Sequence, residues 1–255
     1  MSKLLMKDLD LPISMASDNA RKWLALGTKD GRSLILNSAF RPVKSVRVGK
    51  KEVSALAFSG DGRLLAASAG PRVSIYDLVT GRVKRSFDLL RVPAGAIVRK
   101  IIFLEDGRLL VVGGTYATAP KSGNGFVRLY APGGTKVLKD VPYNYMVWSA
   151  ALDMRGNVLI GRKQLQLRRL ADLAIVAKSE IDIPEYLPVQ VAAFKNGFGV
   201  ASGSGYVYSK DLKKWDSIVL PDETEPPIFG DVLASPDREQ LLFYGLKLAV
   251  YPKIR

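Results

Sequence analysis

Apolar and polar residues alternate over short segments of this chain, most clearly between Val53 and Phe87. "VSALAFS" has a period of two, which predicts a strand with one buried face. "GDGR" predicts a tight hairpin turn, because Gly62 can adopt a positive φ. The apolar run "RLLAASA" predicts a strand buried on both faces, and "VSIYDL" and "RVKRSF" predict a third strand and a solvated outer strand.

The same order of strands and turns recurs along the whole chain. No long amphipathic helix pattern interrupts it, and the mean spacing of the polar turns is about 44 residues, as in propeller blades of four strands each. These turns fall at Asp18-Asn19, Asp61-Gly62, Asp106-Gly107, Arg155-Gly156, Asn196-Gly197 and Asp237-Arg238. The sequence therefore predicts an all-β fold, a six-bladed β-propeller of four-stranded antiparallel blades.

Six repeat units make a single predicted propeller domain over residues 1–255. Their predicted bounds are 12–52, 53–97, 98–146, 147–187, 188–227 and 228–255. The last unit supplies only three strands, whereas residues 3–11 form an alternating segment that belongs to no unit. We expect this N-terminal strand to pair into the last blade and close the ring, which removes exposed sheet edges.

The second unit resembles a blade of the WD-repeat β-propeller family. In "GDGRLLAASAGPRVSIYDLVTGRVKRSF", Tyr76-Asp77 stands where the family has Trp-Asp. The family's hydrogen-bonded tetrad needs a histidine before each blade, and this chain has none. The resemblance implies a propeller that serves as a rigid binding platform and lacks that tetrad. The other units carry at the same third-strand position Leu36, Tyr130, Arg168, Tyr208 and Tyr251.

Composition excludes several kinds of chemistry. The chain has no cysteine and no histidine, so disulfides, thiol nucleophiles and imidazole acid–base catalysis are excluded. The glycine-rich segment from Gly113 to Gly125 contains Lys121 but lacks the spacing and the following helix of a P-loop. We interpret it as an enlarged loop between the second and third strands of blade three. We therefore expect a protein that is not an enzyme and needs no cofactor.

The apolar runs are too short to span a bilayer, and the first residues do not form a signal peptide, so we expect a cytoplasmic protein without a membrane partner. The absence of cysteine and the few asparagine and glutamine residues favour a thermophilic source. The net charge is +14, and most of the excess lies in residues 1–128. Such a field favours acidic partners, above all nucleic acid.

The propeller interpretation places many of these cations on one face. Connections between blades share a face with the turns between second and third strands. The candidate nucleic-acid-binding residues expected there are Lys50, Lys51, Arg72, Arg91, Lys121, Tyr143, Tyr145, Arg162 and Lys163. The cations would contact phosphates and the two tyrosines would stack on unpaired bases. Arg41, Lys44 and Arg47 are expected beside this set, on the outer strand of blade one.

Two further groups of charges have structural interpretations. Acidic residues cluster in two connecting loops, which we interpret as a solvated rim opposite the basic set rather than a metal site. Arg168 and Arg169 occupy a third strand, so one of them is expected to point into a blade interface and to be paired with a carboxylate. The acidic residues are Glu180, Asp182, Glu185, Asp222, Glu223 and Glu225.

Three functions are compatible with these patterns. The favoured one is a non-catalytic platform, a monomeric propeller within a larger assembly, that contacts RNA or a ribonucleoprotein such as the ribosome. The second is a protein–protein scaffold for an acidic peptide or subunit. The third is a propeller hydrolase with a metal ion bound in its channel.

Overall fold

The computed structural model describes residues 13–20, 22–89, 91–116, 124–134, 136–183, 188–195, 197–202, 205–218, 231–234, 241–244 and 248–250. Throughout these ranges the regular structure is β-strand, apart from one short 3₁₀ turn at Pro132–Gly134. Within the same ranges, no helix has the length and apolar character needed to cross a membrane. The predicted all-β class is confirmed.

The strands of the first half form three antiparallel meanders of four strands each. Sheet 1 contains β1 (Ser14–Ser17), β2 (Trp23–Gly27), β3 (Arg32–Asn37) and β4 (Pro42–Arg47). Sheet 2 contains β5 (Val53–Phe58), β6 (Leu64–Ala69), β7 (Arg72–Asp77) and β8 (Val83–Asp88). Sheet 3 contains β9 (Ile97–Phe103), β10 (Leu109–Gly114), β11 (Gly125–Tyr130) and β12 (Val137–Tyr143).

The strands of the second half form two further meanders of four strands and one of three. Sheet 4 contains β13 (Ser149–Leu152), β14 (Asn157–Gly161), β15 (Gln164–Arg169) and β16 (Ile175–Asp182). Sheet 5 contains β17 (Val189–Phe194), β18 (Gly197–Ser202), β19 (Gly205–Ser209) and β20 (Asp216–Ile218). Sheet 6 contains β21 (Asp231–Ala234), β22 (Leu241–Tyr244) and β23 (Leu248–Val250).

The chain divides into two compact units, unit 1 over residues 1–144 with sheets 1–3 and unit 2 over residues 145–255 with sheets 4–6. Each sheet falls, to within one residue, inside one predicted repeat unit. The predicted repeat is therefore confirmed in one respect: each described repeat unit forms one antiparallel sheet. Ring closure by residues 3–11 involves a segment outside the described residues, and it remains a prediction, as does the single-domain organisation.

Hairpin turns lie where glycine and aspartate were expected to form them. Gly62, Gly107 and Gly156 have φ values of 68°, 81° and 76°. Glycine adopts this left-handed conformation without the steric cost that a Cβ would bring. Within each unit the first strands of consecutive sheets lie against one another, β1 against β5 and β5 against β9, and β13 against β17 and β17 against β21.

The third-strand position identified in the sequence is a core position. Tyr76 belongs to the apolar cluster shared by sheets 1 and 2, and its hydroxyl donates a 2.6 Å hydrogen bond to the carbonyl oxygen of Arg47. The Tyr130 ring contacts Phe87 of β8, with centroids 5.0 Å apart. Each aromatic thus packs against the fourth strand of the preceding sheet. The residues buried at this position are Leu36, Tyr76, Tyr130, Arg168 and Tyr208, and Tyr251 lies outside the described residues.

Arg168 is the buried arginine of the pair in β15, whereas Arg169 is exposed and contacts Asp172 at 3.5 Å. The Arg168 guanidinium donates to the side-chain oxygen of Gln166 at 2.8 Å and to the carbonyl oxygen of Leu173. The prediction that one arginine is buried for a structural purpose agrees with this geometry. These two acceptors are neutral oxygens, whereas the sequence predicted that a carboxylate would pair with the buried arginine.

Serine hydroxyls link the first strands of neighbouring sheets. Ser14 Oγ donates to the carbonyl oxygen of Val53, and Ser149 Oγ donates to that of Val189 at 2.8 Å. Each serine lies directly opposite a glycine, Ser14 opposite Gly27 and Ser149 opposite Gly161. Because glycine has no side chain, the hydroxyl can reach the next sheet. This arrangement connects sheets in a chain that has no tetrad histidine.

A methyl group at Gly27 should disturb this link. A Cβ there would lie 2.6 Å from the carbonyl oxygen of Val53 and would also meet Ser14 Oγ. We expect Gly27→Ala to lower the free energy of unfolding by about 1–3 kcal/mol, the usual cost of overpacking. Gly60→Ala is the matched control, since no heavy atom lies within 4 Å of its Cβ position. Urea denaturation compares the two, and equal midpoints would show that the Ser14–Gly27 contact is unimportant.

Candidate nucleic-acid interface

The meander order gives every sheet two distinct ends. The turn between the second and third strands lies at the end where the first strand begins and the fourth strand finishes, so the connections to neighbouring sheets lie there too. We call this the connector end. The turns between strands one and two and between strands three and four lie at the other end, the hairpin end.

Four of the predicted phosphate-contacting residues lie at the connector end of unit 1. Lys50 and Lys51 follow β4 in the connection to sheet 2, Arg72 begins β7, and Arg91 lies in the connection to sheet 3. All four side chains are exposed. Lys121, the fifth candidate of this half, lies outside the described residues.

Further charged residues, beyond those predicted from the sequence, lie at this end of unit 1. Lys29 lies in the turn between β2 and β3, and its position in the repeat could have revealed it. The additional basic residues are Lys29 and Arg32, and the acidic ones are Asp30, Glu52 and Asp88. Asp30 is paired with Arg32 at 3.0 Å, and Asp88 lies opposite Arg72 across the β7–β8 ladder. The connector end of unit 1 therefore keeps an excess of positive charge.

The outer-strand cations of sheet 1 divide between the two ends. Arg41 precedes β4 at the hairpin end, and Lys44 lies within the strand, where its ammonium donates a 3.2 Å hydrogen bond to the carbonyl oxygen of Leu78. Arg47 ends β4 at the connector end and is exposed. Of the three residues expected beside the basic set, only Arg47 shares its end of the sheet.

A pocket of about 370 Å³ opens at the connector end of unit 1. Its lining combines two lysines and a glutamate with small residues from the turns. The Lys51 side chain runs past Gly70, and a Cβ on that glycine would lie 3.1 Å from Lys51 Cδ. The pocket residues are Lys29, Lys51, Glu52, Ser54, Gly70, Gly95, Ala96 and Ile97. Lys51, one of the predicted site residues, thus lines this pocket.

The hairpin end of unit 1 also has a pocket, with a volume of about 870 Å³. Its charges are balanced, since Asp61 and Glu105 line it together with Lys84 and Arg85. Turn carboxylates at this end also accept hydrogen bonds from nearby arginines, as Asp106 does from Arg108 Nε at 2.6 Å. The charged side chains that line this pocket therefore carry no net charge.

Tyr143 does not present its ring to solvent, as the predicted stacking on an unpaired base would require. It is the last residue of β12, it pairs with Gly125 in the ladder, and it is only 5% exposed. The strand continues through "VPY", which carries the ring into the core instead of into solvent. The proposed stacking of an unpaired base on Tyr143 is therefore wrong. Tyr145, in unit 2, is half-buried.

The remaining candidates, Arg162 and Lys163, form the turn between β14 and β15 and are half-buried. The amide of Ile183 donates a 2.9 Å hydrogen bond to the carbonyl oxygen of Lys163, which ties this turn to the connection leaving β16. That connection follows Glu180, which is exposed, and Asp182.

The acidic end of β16 therefore lies at the same end of sheet 4 as the basic turn. The expectation of an acidic rim opposite the basic set is wrong for Glu180 and Asp182, because a fourth strand ends beside the second turn of its own meander. Glu185 and the acidic residues at 222–225 lie outside the described residues.

An exposed aromatic residue does lie at the connector end of unit 1, at Tyr116. It follows β10 by two residues, in the loop whose enlargement the sequence predicted, and it is 66% exposed. The Arg99 guanidinium carbon lies 5.1 Å from the centre of its ring. Burial lowers the pKa of Arg99, while the nearby Glu52 carboxylate raises it. The sequence could have identified Tyr116, because it is an aromatic residue within the enlarged loop from Gly113 to Gly125.

Comparison with known proteins identifies the fold. No family model and no curated protein sequence matches the chain. A crystal structure of RRP9 WD40 repeats matches 91% of this chain and 72% of its own, with a TM-score of 0.69 and 13% identity. A structure of U3-55K matches over the same shares with a TM-score of 0.69 and 15% identity.

Hydrazine synthase from Kuenenia stuttgartiensis is similar over 95% of this chain and 76% of its own, with a TM-score of 0.70 and 11% identity. At such identities the likeness concerns the fold alone. The chain therefore has a fold of the WD40-repeat propeller type with degenerate repeats, and the resemblance recognised in the second unit is confirmed. An enzyme among the similar structures shows that function must be argued from the site.

Proposed function

We propose that this protein is a non-catalytic binding platform and that the connector end of unit 1 contacts RNA or a ribonucleoprotein assembly such as the ribosome. One observation carries the proposal: Lys50, Lys51, Arg72 and Arg91 are all exposed at one end of three consecutive sheets. Lys29 and Arg47 extend the same surface.

The chemistry of that surface suits a phosphate backbone. Lysine supplies a compact cation for any phosphate oxygen, whereas arginine can contact two oxygens at once. Arg72 begins β7, which is largely buried and hydrogen-bonded to β6, whereas Lys50, Lys51 and Arg91 lie in the connections between sheets. Neutralising several phosphates at once releases condensed counterions, and this release drives binding without base readout.

The charged residues of the turns are arranged differently at the two ends of unit 1. At the hairpin end, Asp61 and Asp106 accept hydrogen bonds from the amides of Arg63 and Arg108, so acid and base share each turn. At the connector end, cations outnumber carboxylates in the described part of unit 1. We expect a polyanion to bind at the connector end because Lys50, Lys51, Arg72 and Arg91 are exposed together there.

Co-purification tests this proposal. We expect the protein isolated at low salt to carry material with raised absorbance at 260 nm that RNase removes and that high salt dissociates. The rival function, a scaffold for an acidic peptide or subunit, would use the same cations. A discrete protein partner that survives nuclease treatment, with no RNA retained, would overturn the RNA assignment in favour of that scaffold.

A further inference from the structure

The contact between Arg99 and Tyr116 holds an exposed aromatic ring on which a planar group could stack. The tyrosine ring is 66% exposed although it is a large aromatic side chain, and the guanidinium carbon of Arg99 lies 5.1 Å from its centre. A cation held against an aromatic ring is attracted to it, and this attraction is stronger where the cation is partly desolvated. Arg99 is half-buried, so the contact holds the ring while leaving much of it open to solvent.

A β-bulge in β9 determines the direction of the Arg99 side chain. Lys100 pairs with Val112 and Val98 pairs with Gly113, so Arg99 is the extra residue of a β-bulge in β9. Ser54 is the extra residue at the equivalent position of β5, between Val53 and Ala55. Bulges redirect side chains and are frequent beside functional sites. Both redirected residues lie at the connector end.

One residue, Glu52, relates the pocket at this end to the contact between Tyr116 and Arg99. Glu52 lines the pocket and also interacts electrostatically with Arg99, and Ser54 lines it as well. Lys29 and Lys51 supply its positive charge. Its volume of about 370 Å³ is near the lower end of the range for small-ligand sites, and the pocket is open to solvent. A cationic pocket beside an exposed aromatic ring offers partners for both parts of a nucleotide.

We propose that Tyr116 and this pocket bind one unpaired nucleotide of single-stranded RNA, with the base stacked on Tyr116 and a backbone phosphate at Lys29 and Lys51. The inference rests on the proposed function and narrows it to a substrate class. A base within a duplex is already stacked on both faces, whereas an unpaired base can be placed on a protein ring. The site therefore selects single strands over duplex RNA.

Two substitutions at Tyr116 test the stack without changing charge. We expect Tyr116→Ala to weaken binding of a uridine 12-mer by about tenfold, within the range found for loss of one base–aromatic stack. Tyr116→Phe keeps the ring and should bind within about twofold of the unchanged protein. Inorganic polyphosphate is the base-free control, and both variants should bind it as the unchanged protein does.

The outcomes separate this inference from the function on which it rests. Salt-sensitive RNA binding that is equal in the protein and in Tyr116→Ala would overturn the nucleotide site and leave the basic platform standing. The same loss on polyphosphate as on the uridine 12-mer would also overturn it, because polyphosphate has no base to stack. Absence of any salt-sensitive RNA binding would overturn the platform and the nucleotide site together.

Discussion

Replacing Tyr76 by alanine should lower the free energy of unfolding by about 3–5 kcal/mol, the usual range for emptying a buried aromatic site. The ring is 3% exposed and lies in the apolar cluster of sheets 1 and 2. Its hydroxyl also bonds to the carbonyl oxygen of Arg47 in the preceding sheet. The substitution therefore removes packing and a hydrogen bond between two sheets. Equilibrium urea denaturation measures the change.

Two variants make this result specific. Tyr76→Phe keeps the ring and loses only the hydroxyl, so it should cost about 0.5–1.5 kcal/mol. Tyr116→Ala removes the same side chain from a position that is 66% exposed, and it should cost only about 1 kcal/mol, the value of a surface cation–π contact. Equal destabilisation by Tyr76→Ala and Tyr116→Ala would mean that the third strand of sheet 2 is misplaced.

The second large effect concerns binding. Replacing Lys50, Lys51, Arg72 and Arg91 together by glutamate should weaken binding of single-stranded RNA by at least about tenfold, because four attractive charges become repulsive. All four side chains are exposed, so the variant should fold. Fluorescence anisotropy with a labelled uridine 12-mer measures the affinity.

A matched control changes the same amount of charge elsewhere on unit 1. Lys84, Arg85, Lys136 and Lys139 are exposed on or beside the fourth strands β8 and β12. Replacing these four residues by glutamate gives a protein with the same net charge as the first variant. We expect its affinity to fall much less. Equal losses in the two variants would indicate diffuse attraction and would remove the connector end as the binding surface.

The repeat could be predicted because its physical causes are local. Alternating residues and glycine-containing turns define each hairpin, so the position of Tyr76 in the third strand followed from counting strands after Asp61-Gly62. The burial of that ring follows from the meander, which stacks one sheet against the next. The first step uses only neighbours in sequence, and the second uses contacts between consecutive repeats.

Features that depend on register or on neighbouring sheets could not be predicted in the same way. Tyr143 was expected to stack on an unpaired base, yet the ladder with Gly125 extends β12 through it and the residue is buried. The link from Ser14 to Val53 joins residues of different sheets and leaves no local pattern. The bulge at Arg99 depends on one unmatched residue in the pairing of β9 with β10.

The candidate site was predicted in part. The cations of unit 1 were assigned to the correct end because the connections and second turns share that end in any four-stranded meander. The acidic end of β16 was placed on the wrong side because the same rule was not applied to it. Tyr116 was missed because its exposure and its contact with Arg99 depend on the folded loop.

The central claim is that exposed cations at the connector end of unit 1 hold a phosphate backbone, and the salt dependence of binding tests it most directly. For single-stranded RNA each neutralised phosphate contributes about −0.7 to the log–log slope of affinity against salt, so roughly four contacts predict a slope of about −3. The variant with glutamate at Lys50, Lys51, Arg72 and Arg91 should show a clearly flatter slope. An affinity independent of salt, or the same slope in this variant as in the unchanged protein, would contradict the account.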